Sequence, residues 1–382
     1  MKTKFNHGLG QTILLSIVYP LGPAALILMP LIVGGVIDDY GYSEKQAGFI
    51  ASLETFGMVC GMLLSVFWVR KFSWTKSLLL GLLVYAGLNI ISASFSVYPV
   101  LASMRVAVGF TAGSIFAIVC AAMGDNREPD RAFGIGQGVQ GIMMASIFAS
   151  APLFLEGRNV GAVFYVLAGL ALAMLVCLPK FPCAGIEHSE SCATTDKTYK
   201  RLIWAGLVGG TLYYISIFGF WGFVERIGVN AGLDADTINY ALSVSLVAAI
   251  VGGFIAALAG NRFGRTLPLI VVLIGQLFAL AVLLGDFSEN IFFIATSLYQ
   301  FLYIIATCYL LGVIASMDTN GKYVVMMNAF LGIGASIGPA LASFMITDTG
   351  YSGINMMSMV GIVLCIGIFL FIISATRQLA EN

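Results

Sequence analysis

Long apolar runs, separated by short charged turns, repeat along the whole chain. Stretches without Asp, Glu, Lys or Arg cover 5–37, 77–104, 106–124, 132–155, 159–179, 202–224, 237–261, 266–285, 290–317, 323–347 and 349–376. A twelfth, 46–69, is interrupted only by Glu54. Most exceed the roughly 20 residues with which a helix crosses a bilayer. Allowing for interfacial ends, the pattern predicts twelve spanning helices at about 11–37, 44–69, 75–95, 98–123, 132–155, 159–179, 202–224, 237–260, 267–285, 290–316, 323–346 and 352–376. A helix closes its own backbone hydrogen bonds where no water is at hand. The alternating segments of about ten residues that mark a membrane barrel are absent from the sequence. The first span is too long for a signal core and is expected to stay in the protein. Its Pro20, Pro23 and Pro30 predict kinks.

Composition sharpens this reading. The 382 residues are 59% hydrophobic and 10% charged, with a mean hydropathy of +0.96; soluble domains carry about 25% charged residues. Net charge is zero and there is no basic arm, so no nucleic-acid partner is expected. The seven cysteines lack zinc or disulfide spacing and read as buried, small apolar residues. No phosphate-binding G-x-x-x-x-G-K-[ST] loop occurs, and the two histidines, His7 and His188, stand outside the predicted helices. Neither an enzyme nor a bound cofactor or metal is expected, and repeated pore loops or charged rings of a channel are missing. Fifteen Lys and Arg residues fall on the side of the termini, against Lys45, Arg158 and Arg226 opposite, which places both termini in the cytoplasm. Short loops and compactness suit a bacterial cell (inner) membrane, with a monomer as the expected unit.

One long polar segment, 180–200, divides the chain into halves expected at 1–179 and 201–382. Its Cys183, His188, Glu190 and Cys192 match no zinc pattern, so it reads as a cytoplasmic linker. The halves echo one another: a shift of 192 positions lays Gly61 on Gly253 and Arg70 on Arg262, near the end of the second helix of each half. Asn261-Arg262-Phe263-Gly264-Arg265 resembles the D-R-x-G-R loop core of the major facilitator superfamily, with Asn261 in place of the acid. Arg105, Gly109 and Gly113 are similar to the R-x-x-x-G-x-x-x-G pattern common in its proton-coupled members, and Gly334, Gly338 and Pro339 mark the eleventh span. The glycine-rich motif frequent in antiporters is replaced by Ile147-Phe-Ala-Ser-Ala151-Pro152. The resemblance implies an all-α membrane protein of twelve transmembrane helices in two pseudo-symmetric six-helix bundles. It further implies secondary transport of a small organic solute by alternating access, coupled to protons.

Glu54 is the chemical oddity. An acid at the bilayer centre costs about 2.5–3.5 kcal/mol on insertion scales. Gly57 and Gly61 share its helix face, so the acid is expected against protein or a wet cavity. Arg105, the one base deep inside a predicted helix, is its expected partner at similar depth. Burial and a guanidinium pull a carboxylate's proton affinity in opposite directions, which suits a proton carrier; a purely structural pair in a non-transporting receptor or scaffold is the alternative. By the resemblance, Tyr19, Arg105, Tyr213, Tyr214, Tyr299, Gln300 and Tyr303 line the substrate cavity, favouring an anionic or aromatic solute. Arg70, Asp125, Arg131, Asn261, Arg262, Arg265 and Asp318 are candidates for a cytoplasmic gate. Trp221, near a helix end, is expected at the membrane interface.

Overall fold

The computed structural model describes residues 9–126, 129–155, 159–182, 197–260, 262, 264–317, 322–347 and 350–381. The protein is all-helical, as the apolar pattern requires. The first span is cut into α1 (Leu9–Val18), a 3-10 turn (Tyr19–Leu21), α2 (Ala24–Ile27) and α3 (Met29–Tyr40). Each cut coincides with a proline: Pro20, Pro23 and Pro30 withhold the N–H that would continue the ladder. Gly41, at φ 67°, closes α3 in the left-handed conformation, with its N–H on the Ile37 carbonyl.

α4 (Glu44–Ser65) opens on a capping box between Ser43 and Gln46. α5 (Trp74–Ser92), α6 (Tyr98–Gly124), α7 (Pro129–Leu155) and α8 (Gly161–Met174, continued as a 3-10 turn to Lys180) complete the first set. α9 (Lys197–Asn230), α10 (Ala235–Ala259), α11 (Thr266–Ala281), α12 (Glu289–Met317), α13 (Lys322–Phe344) and α14 (Ser352–Glu381) form the second. Among the described residues, ten of these are long and apolar enough to cross a membrane; the broken first span and the shorter α11 are apolar as well. The chain divides into two compact units, Met1–Ser189 and Glu190–Asn382.

Many large apolar side chains point outward, among them Phe67, Leu80, Leu153, Val176, Phe254 and Leu258. In water such a surface would aggregate; facing acyl chains it is in its proper solvent. Helix association then rests on close packing and small residues. In the first unit α4 lies along α6, and the contact is glycine on backbone from both sides. A Cβ on Gly57 or Gly61 would strike the carbonyls of Val106 or Phe110, and one on Gly109 or Gly113 those of Glu54 or Met58. In the second unit Gly252, next to the Gly253 that the repeat aligns with Gly61, makes the corresponding approach to Phe301 of α12. Gly334 and Gly338 let α13 lie on Thr211, Ile215 and Gly219 of α9.

Three expectations change. α9 continues past 224 because Glu225 and Arg226 stay within the helix, paired at 2.6 and 2.7 Å, with Arg226 buried. A charge whose partner is beside it does not end a helix. Trp221 is buried, 2% exposed, rather than lying in an interfacial belt. Of the five cysteines described, Cys365 is buried and Cys308 exposed, because a helix here turns one face to lipid.

Candidate functional site

Glu54 on α4 and Arg105 on α6 meet inside the first unit. Nη2 of Arg105 donates to Oε1 of Glu54 at 2.7 Å, with side chains 0% and 5% exposed. The glycine contacts bring the pair together: Gly109, one turn beyond Arg105, lies directly on the backbone carbonyl of Glu54. Two further groups complete the shell. Oδ1 of Asn89, on α5, accepts from Nη1 at 3.3 Å and Nη2 at 3.1 Å, while its Nδ2 donates to the Tyr85 carbonyl at 2.9 Å. The guanidinium lies over the ring of Phe164, on α8, 4.5 Å from its centroid. Four helices thus hold one cation with a carboxylate, an amide oxygen and a ring face. Nε of Arg105 keeps no partner among the described residues.

Electrostatics explain the crowding. Moving two ions from water into an apolar interior costs several kcal/mol each, and their attraction repays this only with good geometry and satisfied hydrogen bonds. Asn89, wholly buried, escapes a reading based on charge because it is uncharged. Its trace in the sequence is the lone amide in the run 77–104, one turn after Tyr85.

A small cleft opens beside the acid. Its walls are Gly22, Ala25 and Leu26 from the break in the first span, and Thr55, Met58, Gly109 and Ala112 from α4 and α6. Tyr19 lies in the same break but packs 5.0 Å from Phe116 and 6.4 Å from Phe133, buried.

In the second unit the aromatic candidates separate into two groups. Tyr214 and Tyr303 place their hydroxyls 3.3 Å apart, with Thr307 at 3.4 Å from Tyr214 and the Phe218 ring against both. These two tyrosines are only half-buried. Tyr213 instead donates to Gln276 of α11 at 2.9 Å, and Tyr299 packs on Phe220 at 4.7 Å; both are fully enclosed. Gln300, 7% exposed, shares a helix face with Tyr303 and Thr307. Gln276, Thr307 and Phe218 went unnoticed in the sequence because nothing in a uniformly apolar helix separates them from packing residues.

Among the gate candidates, Arg70 and Asp125 form a bidentate pair at 2.5 and 3.0 Å, with Arg70 5.5 Å from the Trp74 ring centroid. Next to it, Asn126 donates to Thr12 of α1 at 2.9 Å. This corner ties the ends of α4 and α6 to α1 within one unit. Arg131 and Arg262 are exposed, and Arg265 lies beside Gly312 of α12. Asn261 and Asp318 lie outside the described residues, as do Cys183, His188, Glu190 and Cys192 of the linker.

Comparisons with known proteins point one way. The model of the family described as Major Facilitator Superfamily matches residues 13–187 and 206–382. No curated protein sequence matches the chain. Among solved structures, a nucleoside transporter, NupG, is similar at a TM-score of 0.75 and 11% identity, covering 95% of this chain and 98% of its own. A bacterial homologue of the human lysosomal transporter Spinster, inward-facing and unoccupied, gives 0.72 at 12% identity, covering 97% of both chains. A D-xylose–proton symporter gives 0.71 at 12% identity, covering 93% and 95%. At such identities the likeness is one of fold.

Proposed function

The chain belongs to the major facilitator superfamily, a family of transporters rather than enzymes, and from that premise we propose that it moves a small organic solute by proton-coupled alternating access. The observation that carries the coupling is the Glu54–Arg105 pair, 2.7 Å apart and buried among spanning helices. An ionisable residue in hydrocarbon is costly and is retained where its charge is used. Glu54 is the proton carrier. Arg105 stabilises the ionised acid, and Asn89 and Phe164 keep the guanidinium in place while Glu54 changes state.

On this reading the solute meets the half-buried hydroxyls of Tyr214, Tyr303 and Thr307, with Phe218 as an apolar wall and Gln300 nearby. Hydroxyls and rings together suit a solute carrying an aromatic or apolar body and a few polar groups. Tyr213 and Tyr299, packed inside the second unit, support that wall rather than touch the solute, and Tyr19 packs on Phe116 and Phe133 in the first unit. The protein works in the cell (inner) membrane with its termini in the cytoplasm, where Arg70, Asp125 and the basic residues Arg131, Arg262 and Arg265 belong to the inner gate.

The complete burial of Arg105 favours a second reading, in which the pair only locks α4 to α6. One experiment separates the two. A solute is first identified by thermal-shift screening of a metabolite library, and its flux is then measured in proteoliposomes. Glu54→Gln is expected to abolish uptake driven by a pH gradient while solute exchange persists; unchanged pH-driven uptake makes the pair structural.

A further inference from the structure

The carboxylate of Glu54 has two oxygens in different surroundings. Oε1 is taken by Arg105, and no described residue donates to Oε2. The residue is 4% exposed and borders the cleft beneath the break in the first span. That break is built in by sequence: Pro30 has no N–H for the Leu26 carbonyl, and α2 stops at Ile27. Ala25 and Leu26, on the wall of the cleft, are half-buried, whereas Arg105 is 0% exposed. The acid thus borders an opening on the α2 side, whereas the guanidinium is fully enclosed.

The chemistry of the cleft selects the visitor. A hard metal cation takes about six or more oxygen ligands. Here the walls are Gly, Ala, Leu and Met; the Thr55 hydroxyl is already donated to the Ala51 carbonyl at 2.9 Å. No grouping of His, Cys, Asp or Glu that could hold a metal exists among the described residues. One carboxylate oxygen in an apolar cleft suits a proton carried by water.

We propose that Glu54 exchanges its proton on Oε2, through the cleft lined by Ala25 and Leu26, while Oε1 remains on Arg105. A hydronium gives its proton to Oε2, forming the O–H bond, and leaves as water. Oε1 still accepts from Nη2, so the two helices stay joined. The pair's net charge rises from zero to plus one. This route rests on the proton-coupling reading and adds to it the entrance and the atom.

The test uses the purified full chain in detergent micelles with dicyclohexylcarbodiimide, an apolar reagent that adds a protonated carboxyl across its C=N bond and rearranges to a stable N-acylurea. Mass spectrometry reads the adduct on the peptide containing Glu54. Labelling is expected in the wild type, falling as pH rises, and absent in Glu54→Gln. Ala25→Cys is expected to label like the wild type until its thiol is capped with methyl methanethiosulfonate, and then at least about tenfold more slowly. Because the cap is added to folded protein, the loss cannot come from misfolding; the wild type, treated identically, controls for the native cysteines. Undiminished labelling after capping, a thiol at 25 that refuses the cap, or a wild type that never labels would each overturn the route. Failure of the coupling reading is distinct: it shows as pH-driven uptake surviving Glu54→Gln, whatever the labelling does.

Discussion

Replacing Arg105 by methionine removes a cation and leaves the Glu54 carboxylate buried without a partner. Breaking a buried pair from one side costs about 3–5 kcal/mol, because the surviving charge has lost its counter-ion. Glu54→Leu leaves the guanidinium with only the Asn89 oxygen and the Phe164 face, and the same range applies. The double variant Glu54→Leu/Arg105→Met carries no buried charge. What remains is the orphaned Oδ1 of Asn89, whose lost hydrogen bonds cost about 1–3 kcal/mol. The double variant is thus expected to be more stable than either single one. The singles sum to about 6–10 kcal/mol, so the interaction term is at least about 3 kcal/mol. Unfolding by sodium dodecyl sulfate in mixed micelles, followed by circular dichroism, measures all four proteins. If Arg105→Met costs under about 1 kcal/mol, or the losses simply add, the two ions do not depend on one another and the account of the site fails.

Three further outcomes follow from particular contacts. Gly109→Ala places a methyl on the Glu54 carbonyl, so α4 and α6 must part, at a cost of about 1–3 kcal/mol by overpacking; Gly87→Ala, whose methyl meets nothing within 4 Å, should be neutral or slightly stabilising in the same unfolding assay. Arg70→Lys keeps the charge but loses the two-pronged contact with Asp125 and the approach to Trp74; with the Arg70 side chain 34% exposed and screened by solvent, the melting assay should show a loss below about 1 kcal/mol. Asp39, in the last turn of α3 and past the apolar run that ends at 37, accepts from the Val160 N–H at 2.5 Å. Partial burial, offset by that bond and reinforced by Asp38, holds its carboxyl above the ordinary value of 3.8. The folded state therefore binds this proton more tightly than the unfolded chain, so its contribution is full below 3.8 and is lost as pH rises through the raised value. Asp39→Asn, which keeps an acceptor for Val160, should abolish that decline, seen as a wild-type-minus-variant melting difference that falls as pH rises from 3.8 through the raised value; a difference that grows with pH contradicts the assigned direction.

How far the chain could be understood in one dimension depends on how local each cause is. Span number and character follow from hydropathy alone, since the bilayer rewards each apolar run independently of its neighbours. The breaks at Pro20, Pro23 and Pro30 were visible for the same reason: a missing N–H acts within one turn. Glu54 and Arg105 stood out because charge in hydrocarbon is rare, and helix spacing with depth sufficed to pair them. Asn89 and Phe164 did not, because an amide or a ring in an apolar run announces nothing until a guanidinium is placed against it. The hydroxyl cluster of Tyr214, Tyr303 and Thr307 likewise exists only where α9 and α12 converge. Charge as punctuation misled at Glu225 and Arg226, whose mutual pairing let α9 run on. Membrane class, breaks and the acidic anomaly are properties of short stretches and their solvent; the shell around Arg105 and the cleft beside Glu54 arise from glycine contacts between segments some fifty residues apart, and no stretch of sequence contains them.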